Sequence, residues 1–313
     1  DLKEALIRAS SEAKIAFGSE EVYIEEYLND SRHVEIQIIG DGLGNVSHLY
    51  DRECTVQRRY QKIIEVAPSP TLTNEVRLEL IDAALRMTKA IKYKGLCTVE
   101  FLLDNKSNKF CFIEGNARLQ VEHPITEFVS GLDLVKLQLD IANGEPIPFK
   151  QSDLKMNGYA IECRINAEDT FLDFAPSTGP IPAVTIPSGP GVRCDTYLYP
   201  GCTVSPFYDS LMAKLVTWGQ TFEESRLRML NALNDFYIQG VETSIPLYKT
   251  ILETEEYKNG ELSTNFLKRF DIIDRLKEDL KNQRKDKQLA AIAAAVMHST
   301  FYQSTVKSLS LIN

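Results

Sequence analysis

The chain has no apolar run long enough to span a bilayer, and its first residues carry no signal-peptide pattern. It has no excess of base. Against 35 Lys and Arg stand 44 Asp and Glu, a formal net charge of −9, which argues against a nucleic-acid-binding face. It has no C-x-x-C pair. Its six cysteines lie at 54, 97, 111, 163, 194 and 202, several inside apolar runs, so buried free thiols in a reducing cytosol are expected rather than disulfides or zinc. It has no initiating Met and opens inside an apparent helix, which leads us to expect a part of something longer.

What is present is ordinary for a soluble globular protein, with 43% hydrophobic and 25% charged residues over 313 positions. That length suits two domains, or one large domain with an appendage. Residues 1–17 read as an amphipathic helix, with Leu2, Ala5, Leu6, Ala9, Ala13 and Phe17 at helical spacing. Residues 20–28 and 32–39 read as strands. In the second, Val34, Ile36 and Ile38 share one face and His33, Glu35 and Gln37 the other. Taken alone, His33 and Glu35 read as half-exposed strand residues. A hairpin turn at 41–45 leads into a return strand from Val46 to Tyr50.

The stretch 51–62 is rich in cations within an acidic protein, and a local positive cluster suits a polyphosphate substrate. The alternative is a solvated charge run. Pro68 and Pro70 exclude helix there, after which Thr73 is a candidate N-cap with Glu75 in the first turn. The helix that follows carries Val76, Leu80, Ile81, Ala84, Leu85, Thr88 and Ile91 on one stripe, with Gly95 just past its end. Residues 98–103 and 109–114 then form a hairpin. A helix is expected from about Phe128 to Ala142, and a domain boundary near residue 145. From Gly158 the pattern changes to short strands separated by Pro and Gly, with a strand entering at 208–216 and an amphipathic helix over 223–236. Beyond Phe270 the tail is charged and helical, then apolar from Leu289 to Met297, a length that cannot span a bilayer and suits docking on this protein or a partner.

The chemistry concentrates at 112–124. There an apolar strand runs into Glu114, Asn116, Arg118, Gln120, Glu122 and His123. Acidic residues at a strand end suit Mg²⁺, and an arginine grips a planar oxyanion by two parallel hydrogen bonds. The hairpin puts Glu100 and Glu114 on adjacent strands. If they share a face they clamp a cation, with Asn116 a third oxygen donor, but the sequence does not fix that register. A solvated loop with surface ion pairs is the alternative.

Together these segments resemble the biotin carboxylase component of biotin-dependent carboxylases, in the ATP-grasp superfamily. The matching stretches are RHVEIQ (32–37), DRECTVQRRYQKIIEVAP (51–68), TVEFL (98–102), FIEGNARLQVEHPITE (112–127), ECRINAED (162–169), YDSLMAKL (208–215) and GVETSIPL (240–247), in the family's order. The fold implied is α+β. The C-terminal part of an ATP-grasp domain, an antiparallel sheet with helices (1–145), would precede a small biotin carboxylase C-terminal α+β domain (157–270) and a helical tail (271–313).

The activity implied is ATP-dependent carboxylation of biotin with bicarbonate, through carboxyphosphate, in the cytoplasm. By resemblance, Glu25, Glu26, Tyr27 and Leu28 are the hinge that reads adenine. His33, Gln57 and Tyr60 wall the ribose and phosphates of ATP, and Leu102 packs under the base. Glu100, Glu114 and Asn116 are Mg²⁺ (or Mn²⁺) ligands. Lys62, Arg118, Gln120 and the Val121 backbone cradle bicarbonate, Glu122 is the general base, and Arg164 faces the biotin ureido oxygen. A cross-strand ion pair with Glu162 or Glu168 is the alternative for Arg164.

Three departures from the family pattern stand out. Tyr60 replaces a usual His and so carries no positive charge. Gly115 replaces a larger apolar residue, which would loosen that strand end. The resemblance also starts after the family's glycine-rich phosphate loop and phosphate-binding lysines, and no glycine-rich run here replaces that loop, so this chain alone is expected to turn over poorly or not at all. No Ala-Met-Lys-Met sequence is present, since Lys155-Met156 lacks those flanks. The implied partners are therefore a biotin carboxyl carrier protein, a second copy of the chain and a carboxyltransferase subunit. Arg193 and the Phe207-Tyr208 region are the candidates for the dimer surface. The readings kept beside this one are another ATP-grasp carboxylate ligase and a non-catalytic dimerisation scaffold.

Overall fold

Strand β1 (Ser31–Asp41) is the spine of the computed structural model, which describes residues 1–282 together with 285, 288, 289 and 294. It pairs along its length with β2 (Val46–Arg58) on one side and β4 (Lys94–Asp104) on the other. With β3 (Gln61–Ala67), β5 (Phe110–Asn116), β6 (Tyr159–Asn166), β7 (Val192–Thr196) and β8 (Leu211–Gly219) it forms one eight-stranded sheet in the order β7-β8-β6-β3-β2-β1-β4-β5. Every neighbouring pair is antiparallel. The sheet continues across residue 145, because β6 pairs with β3.

The period-two pattern decides which side of the sheet each residue faces. On the back, Val34, Ile36 and Ile38 pack with Val99 and Phe101 against α2 (Asn74–Ala90) through Leu80, Ile81 and Ala84. The Thr73 side chain caps α2 by accepting from the Val76 N–H at 3.3 Å. Further along the back, Ile161, Cys163, Ile165 and Leu215 pack under α5 (Phe222–Asp235) and α6 (Ile245–Glu253) through Met229, Leu233, Tyr248 and Ile251. The front is polar at its centre and is roofed by α3 (His123–Ser130), whose Ile125 and Val129 rest on Ala67, Ala160 and Val216. Beside α3, α4 (Leu134–Ala142) closes on Ile39, Leu49 and Leu96. Strand β1 is thus buried on both faces, and His33 and Glu35 are buried rather than half-exposed. Gly40 is required where β1 passes Tyr93: a Cβ there would stand 2.2 Å from the Tyr93 carbonyl oxygen.

Several expectations are corrected. Residues 20–28 form no strand; the segment is irregular and Glu25, Glu26 and Tyr27 are exposed. Its β-branched and aromatic residues have no neighbouring strand to receive their backbone groups, and strand propensity without pairing makes no sheet. The return strand does not stop at Tyr50 but runs to Arg58, so the cationic stretch is buried strand from Asp51 to Gln57 and exposed turn at Arg59 and Tyr60. The helix expected from 128 to 142 is two helices, broken at Gly131 (φ 72°) and restarted by Asp133, whose side chain accepts from the Lys136 N–H. Helix α1 (Leu2–Phe17) forms as expected but buries none of its residues.

The short-strand region contains two-residue ladders such as Glu168–Asp169 with Ala175–Pro176 and Gly179–Pro180 with Thr203–Val204. Helix resumes at 272–282, burying Ile272 and Leu276, while the apolar run 289–297 lies almost wholly outside the described residues. Cys54, Cys97, Cys163 and Cys202 are buried, Cys111 is exposed, and all six are free. Among the described residues no helix is long and apolar enough to cross a membrane.

Leu80 is fully buried and Leu78, on the same helix, is 64% exposed. Leu80→Ala is expected to cost about 2–5 kcal/mol in denaturant unfolding, and Leu78→Ala less than about 0.5 kcal/mol. Equal losses would contradict the assignment of the α2 face.

Candidate active site

The antiparallel register lines up charged residues in rows across the front of the sheet. Glu35 stands opposite Arg52 on β2 and Glu100 on β4, and Glu100 stands opposite Glu114 on β5. One row along, Gln37 faces Thr98 and Thr98 faces Asn116. The register left open by the sequence therefore puts Glu100 and Glu114 on one face. Asn116 Nδ2 bridges them, donating to Glu100 Oε1 at 2.8 Å and to Glu114 Oε1 at 3.1 Å.

At the centre lies Arg52, with no exposed surface. Its Nε donates to Glu35 Oε1, its Nη1 to Gln37 Oε1 (2.7 Å) and Thr126 Oγ1 (2.9 Å), and its Nη2 to Thr98 Oγ1 and Gln120 Oε1 (both 3.0 Å). All five guanidinium N–H donors thus have acceptors, the condition under which a charge can be buried. Lys62, at the start of β3, donates to three carboxylates at once: Glu35 (2.5 Å), Glu100 (2.9 Å) and Glu122 (2.8 Å). Glu122, just before α3, also accepts from Arg164 Nη2 at 3.0 Å, and Arg164 Nε donates to Glu65 at 2.6 Å. Glu122 is thus clamped between a cation of β3 and a cation of β6. His33 Nε2 lies 2.6 Å from Glu100 Oε2, and His33 Nδ1 lies 2.7 Å from Gln57 Nε2.

These neighbours decide the ionisation. Burial alone would raise the Glu35 carboxyl, but Arg52 and Lys62 outweigh it and hold Glu35 down at about 2. Burial likewise opposes the charge on Glu100, and His33 and Lys62 bring it down to about 2. Burial works against the Lys62 ammonium, yet Glu35, Glu122 and Glu100 hold its pKa above the ordinary value. Arg52, Lys62, Glu35 and Glu100 are all charged at neutral pH.

The structure brings together most of the residues singled out in the sequence. Lys62, His33, Gln57, Glu100, Asn116, Gln120, Glu122 and Arg164 join one network, with Gln120 Nε2 donating to Glu100 at 2.7 Å. The Val121 carbonyl accepts from Lys214 Nζ at 3.2 Å, and Leu102 sits opposite His33. Arg164 pairs with Glu65 and Glu122, not with Glu162 or Glu168. Glu114 is exposed at the open edge, and Arg118 is exposed with its Nη1 on the Leu119 carbonyl. Tyr60 is 88% exposed in the β2–β3 turn, Glu25, Glu26 and Tyr27 are exposed, and none of Glu25, Glu26, Tyr27 and Leu28 is hydrogen-bonded to the network. Glu35, Arg52, Glu65 and Lys214 were missed as site residues. The available sign was the polar face of β1, whose charges need opposite partners if that face is covered.

Two family profiles match the chain. The "Carbamoyl-phosphate synthase L chain, ATP binding domain" covers residues 1–150 and the "Biotin carboxylase C-terminal domain" residues 162–269. Biotin carboxylase 1 of Bacillus subtilis is 47% identical over 262 residues, which is 84% of this chain and 58% of that protein. Biotin carboxylase of Haemophilus influenzae is 48% identical over 270 residues, covering 86% of this chain and 59% of that protein. The chain thus spans about three-fifths of the length of these relatives. Among solved structures, the biotin carboxylase domain dimer of Hydrogenobacter thermophilus 2-oxoglutarate carboxylase, in complex with MgADP, ADP and bicarbonate, is 42% identical. It superimposes with a TM-score of 0.83 over 86% of this chain and 59% of that one.

Removing one member of a buried charge pair strands the other. Arg52→Met is expected to cost about 3–5 kcal/mol, and adding Glu35→Gln to recover part of it; strict additivity in a double-mutant cycle would contradict the coupling. Glu35 and Glu100 ionise below their unfolded value of 4.5, so the stability they contribute is complete above that pH and lost as pH falls toward about 2. Thermal melting is expected to fall over that window, and to fall less steeply in Glu35→Gln.

Proposed function

Because the chain belongs to the biotin carboxylase family, we propose that the protein carrying it uses ATP and bicarbonate to carboxylate the biotin of a carrier protein. The observation that carries this reading is the clamp on Glu122. Lys62 from the first matched unit and Arg164 from the second hold its two oxygens. Another ATP-grasp ligase would share Glu100, Glu114 and Asn116 but would not be expected to carry Arg164 beside the base.

Glu100 and Glu114 share one face and bracket the Asn116 side chain, whose Nδ2 donates to both; with that amide turned to present Oδ1 in place of Nδ2, the three would supply the oxygen ligands that suit Mg²⁺ or Mn²⁺. When bound, such a cation neutralises charge on the transferring phosphoryl group. The chain's own residues supply the rest. Lys62 and the exposed Arg118, with Gln120 and the Val121 backbone, hold bicarbonate. Glu122 takes its proton, so that a bicarbonate oxygen bonds to the γ-phosphorus as the bond to ADP breaks. Carboxyphosphate then releases CO₂ beside biotin. The phosphate released with the CO₂ takes the ureido N–H proton as that nitrogen bonds to CO₂, and the partly buried Arg164, held by Glu65 and Glu122, stabilises the charge that builds on the ureido oxygen.

His33 and Gln57 face the nucleotide in this reading, Tyr60 lies at its rim, Leu102 lies beneath the base, and Glu25 to Leu28 read adenine. Residues 1–145 and 157–270 are then two functional units sharing one sheet, with residues 271–313 as a tail. A biotin carrier, a carboxyltransferase and a second copy of the chain are the partners. For the dimer surface the exposed Phe207 and Tyr208 are better candidates than Arg193, which is committed to Glu127 and Asp195 within the chain.

The test is ATP hydrolysis with and without bicarbonate and free biotin, on this chain and on a version extended N-terminally to the length of its relatives. Bicarbonate-dependent, biotin-stimulated turnover is expected in the extended version and little or none in this chain alone, with the extended turnover reduced about 10²–10⁴-fold in Glu122→Gln while Mg·ATP binding is retained. Turnover indifferent to bicarbonate would point to another ATP-grasp ligase, and nucleotide binding without turnover to a scaffold.

A further inference from the structure

Two buried carboxylates beside this site have no role in that reaction. Glu65 on β3 and Glu162 on β6 stand directly opposite one another, and neither has exposed surface. Opposed residues of an antiparallel pair bring their Cβ atoms to about 5 Å. Glu65 Oε1 accepts from Arg164 Nε at 2.6 Å, but Glu65 Oε2 and both oxygens of Glu162 have no partner. Two ionised carboxylates side by side out of water repel, and three orphaned buried oxygens are costly. One proton resolves most of this. Carried by Glu162, it lets that carboxyl donate an O–H to Glu65 Oε2, which gives two of the three oxygens a partner and leaves Glu65 charged for Arg164.

We propose that Glu65 and Glu162 hold one proton between them, and that this singly charged pair is the positioning element that fixes Arg164 for its work on biotin. The positioning half rests on the biotin carboxylase reading; the shared proton does not. The groups facing Glu65 are Arg164, Glu122 and Lys62, and those facing Glu162 are Glu65, Lys214, Arg164 and Glu122. Burial raises Glu65 to about 7 and Glu162 well above its ordinary value, the charge of Glu65 adding to the second. The consequence for Arg164 is mechanical. When Glu122 takes the bicarbonate proton it loses its charge and loosens its hold on Nη2, while Glu65 keeps Nε. The guanidinium then turns about a fixed edge toward the ureido oxygen and is not released.

Infrared titration of the chain reads the proton directly. A protonated-carboxyl band is expected at neutral pH, absent in Glu162→Gln and retained, shifted, in Glu65→Gln, with circular dichroism reporting the fold of each variant. No such band in the wild type, or one that Glu162→Gln leaves in place, would overturn the shared proton. Glu162, which keeps the proton, stands well above its unfolded value of 4.5, so the stability it contributes is complete below about 4.5 and is lost as pH rises through its higher folded-state value, and Glu162→Gln should flatten the neutral-to-alkaline decline in melting temperature.

In the N-terminally extended protein, Glu65→Gln is expected to lower kcat for biotin carboxylation about 10²-fold, with the KM for ATP unchanged and the pH profile shifted, and Glu65→Asp to restore part of it. Wild-type kinetics in Glu65→Gln would overturn the positioning role. A wild-type protein inert toward ATP would overturn both that role and the biotin carboxylase reading, while the infrared band still decides the proton.

Discussion

The burial of Arg52 is the constraint on which the rest of the front face depends. A guanidinium without exposed surface must have an acceptor for every N–H, and these come from β1, β4, the 120 turn and α3. That demand fixes how α3 sits over the sheet, because Thr126 is one of the acceptors. It also fixes Glu35, whose second oxygen is then free for Lys62. The position of Lys62 in turn decides where Glu122 stands. The candidate catalytic base is thus located through a chain of charge-assisted hydrogen bonds that begins at a residue no substrate needs to touch.

The alternation of sign along this chain explains why so much charge can be buried in one place. Arg52, Glu35, Lys62, Glu122, Arg164 and Glu65 follow one another as cation and anion in turn, each with a hydrogen bond to the next. Such a network stabilises little against an apolar core, but it specifies one arrangement. A reacting anion entering it meets donors already oriented. At the Glu65–Glu162 pair the alternation breaks without a donor between the two carboxylates, and a proton replaces the missing cation.

Much of the fold was legible because its determinants are local. The Thr73 cap, the apolar stripe of α2 and the β4–β5 hairpin each lie within a few residues of the sequence that encodes them. The site residues at 112–124 were legible as a polar run leaving an apolar strand. The opposition of Glu100 and Glu114 was not, since a shift of one residue would have put them on opposite faces. Glu35 and Arg52 were unreadable as a centre for the same reason: their importance comes from being opposite each other and covered by α3. The strand expected at 20–28 failed in the converse way, because strand propensity is local and pairing is not. Gly131 divides a helical stretch by adopting a left-handed conformation at a position where apolar spacing alone continues.

The central claim is that Glu122, held by Lys62 and Arg164, lets bicarbonate attack phosphorus. Its most direct test follows the oxygen. Heavy-oxygen-labelled bicarbonate supplied with Mg·ATP to the N-terminally extended protein should leave label in the inorganic phosphate released, because the new P–O bond carries a bicarbonate oxygen. Inorganic phosphate free of label would show that water, not bicarbonate, attacks, and would contradict the account.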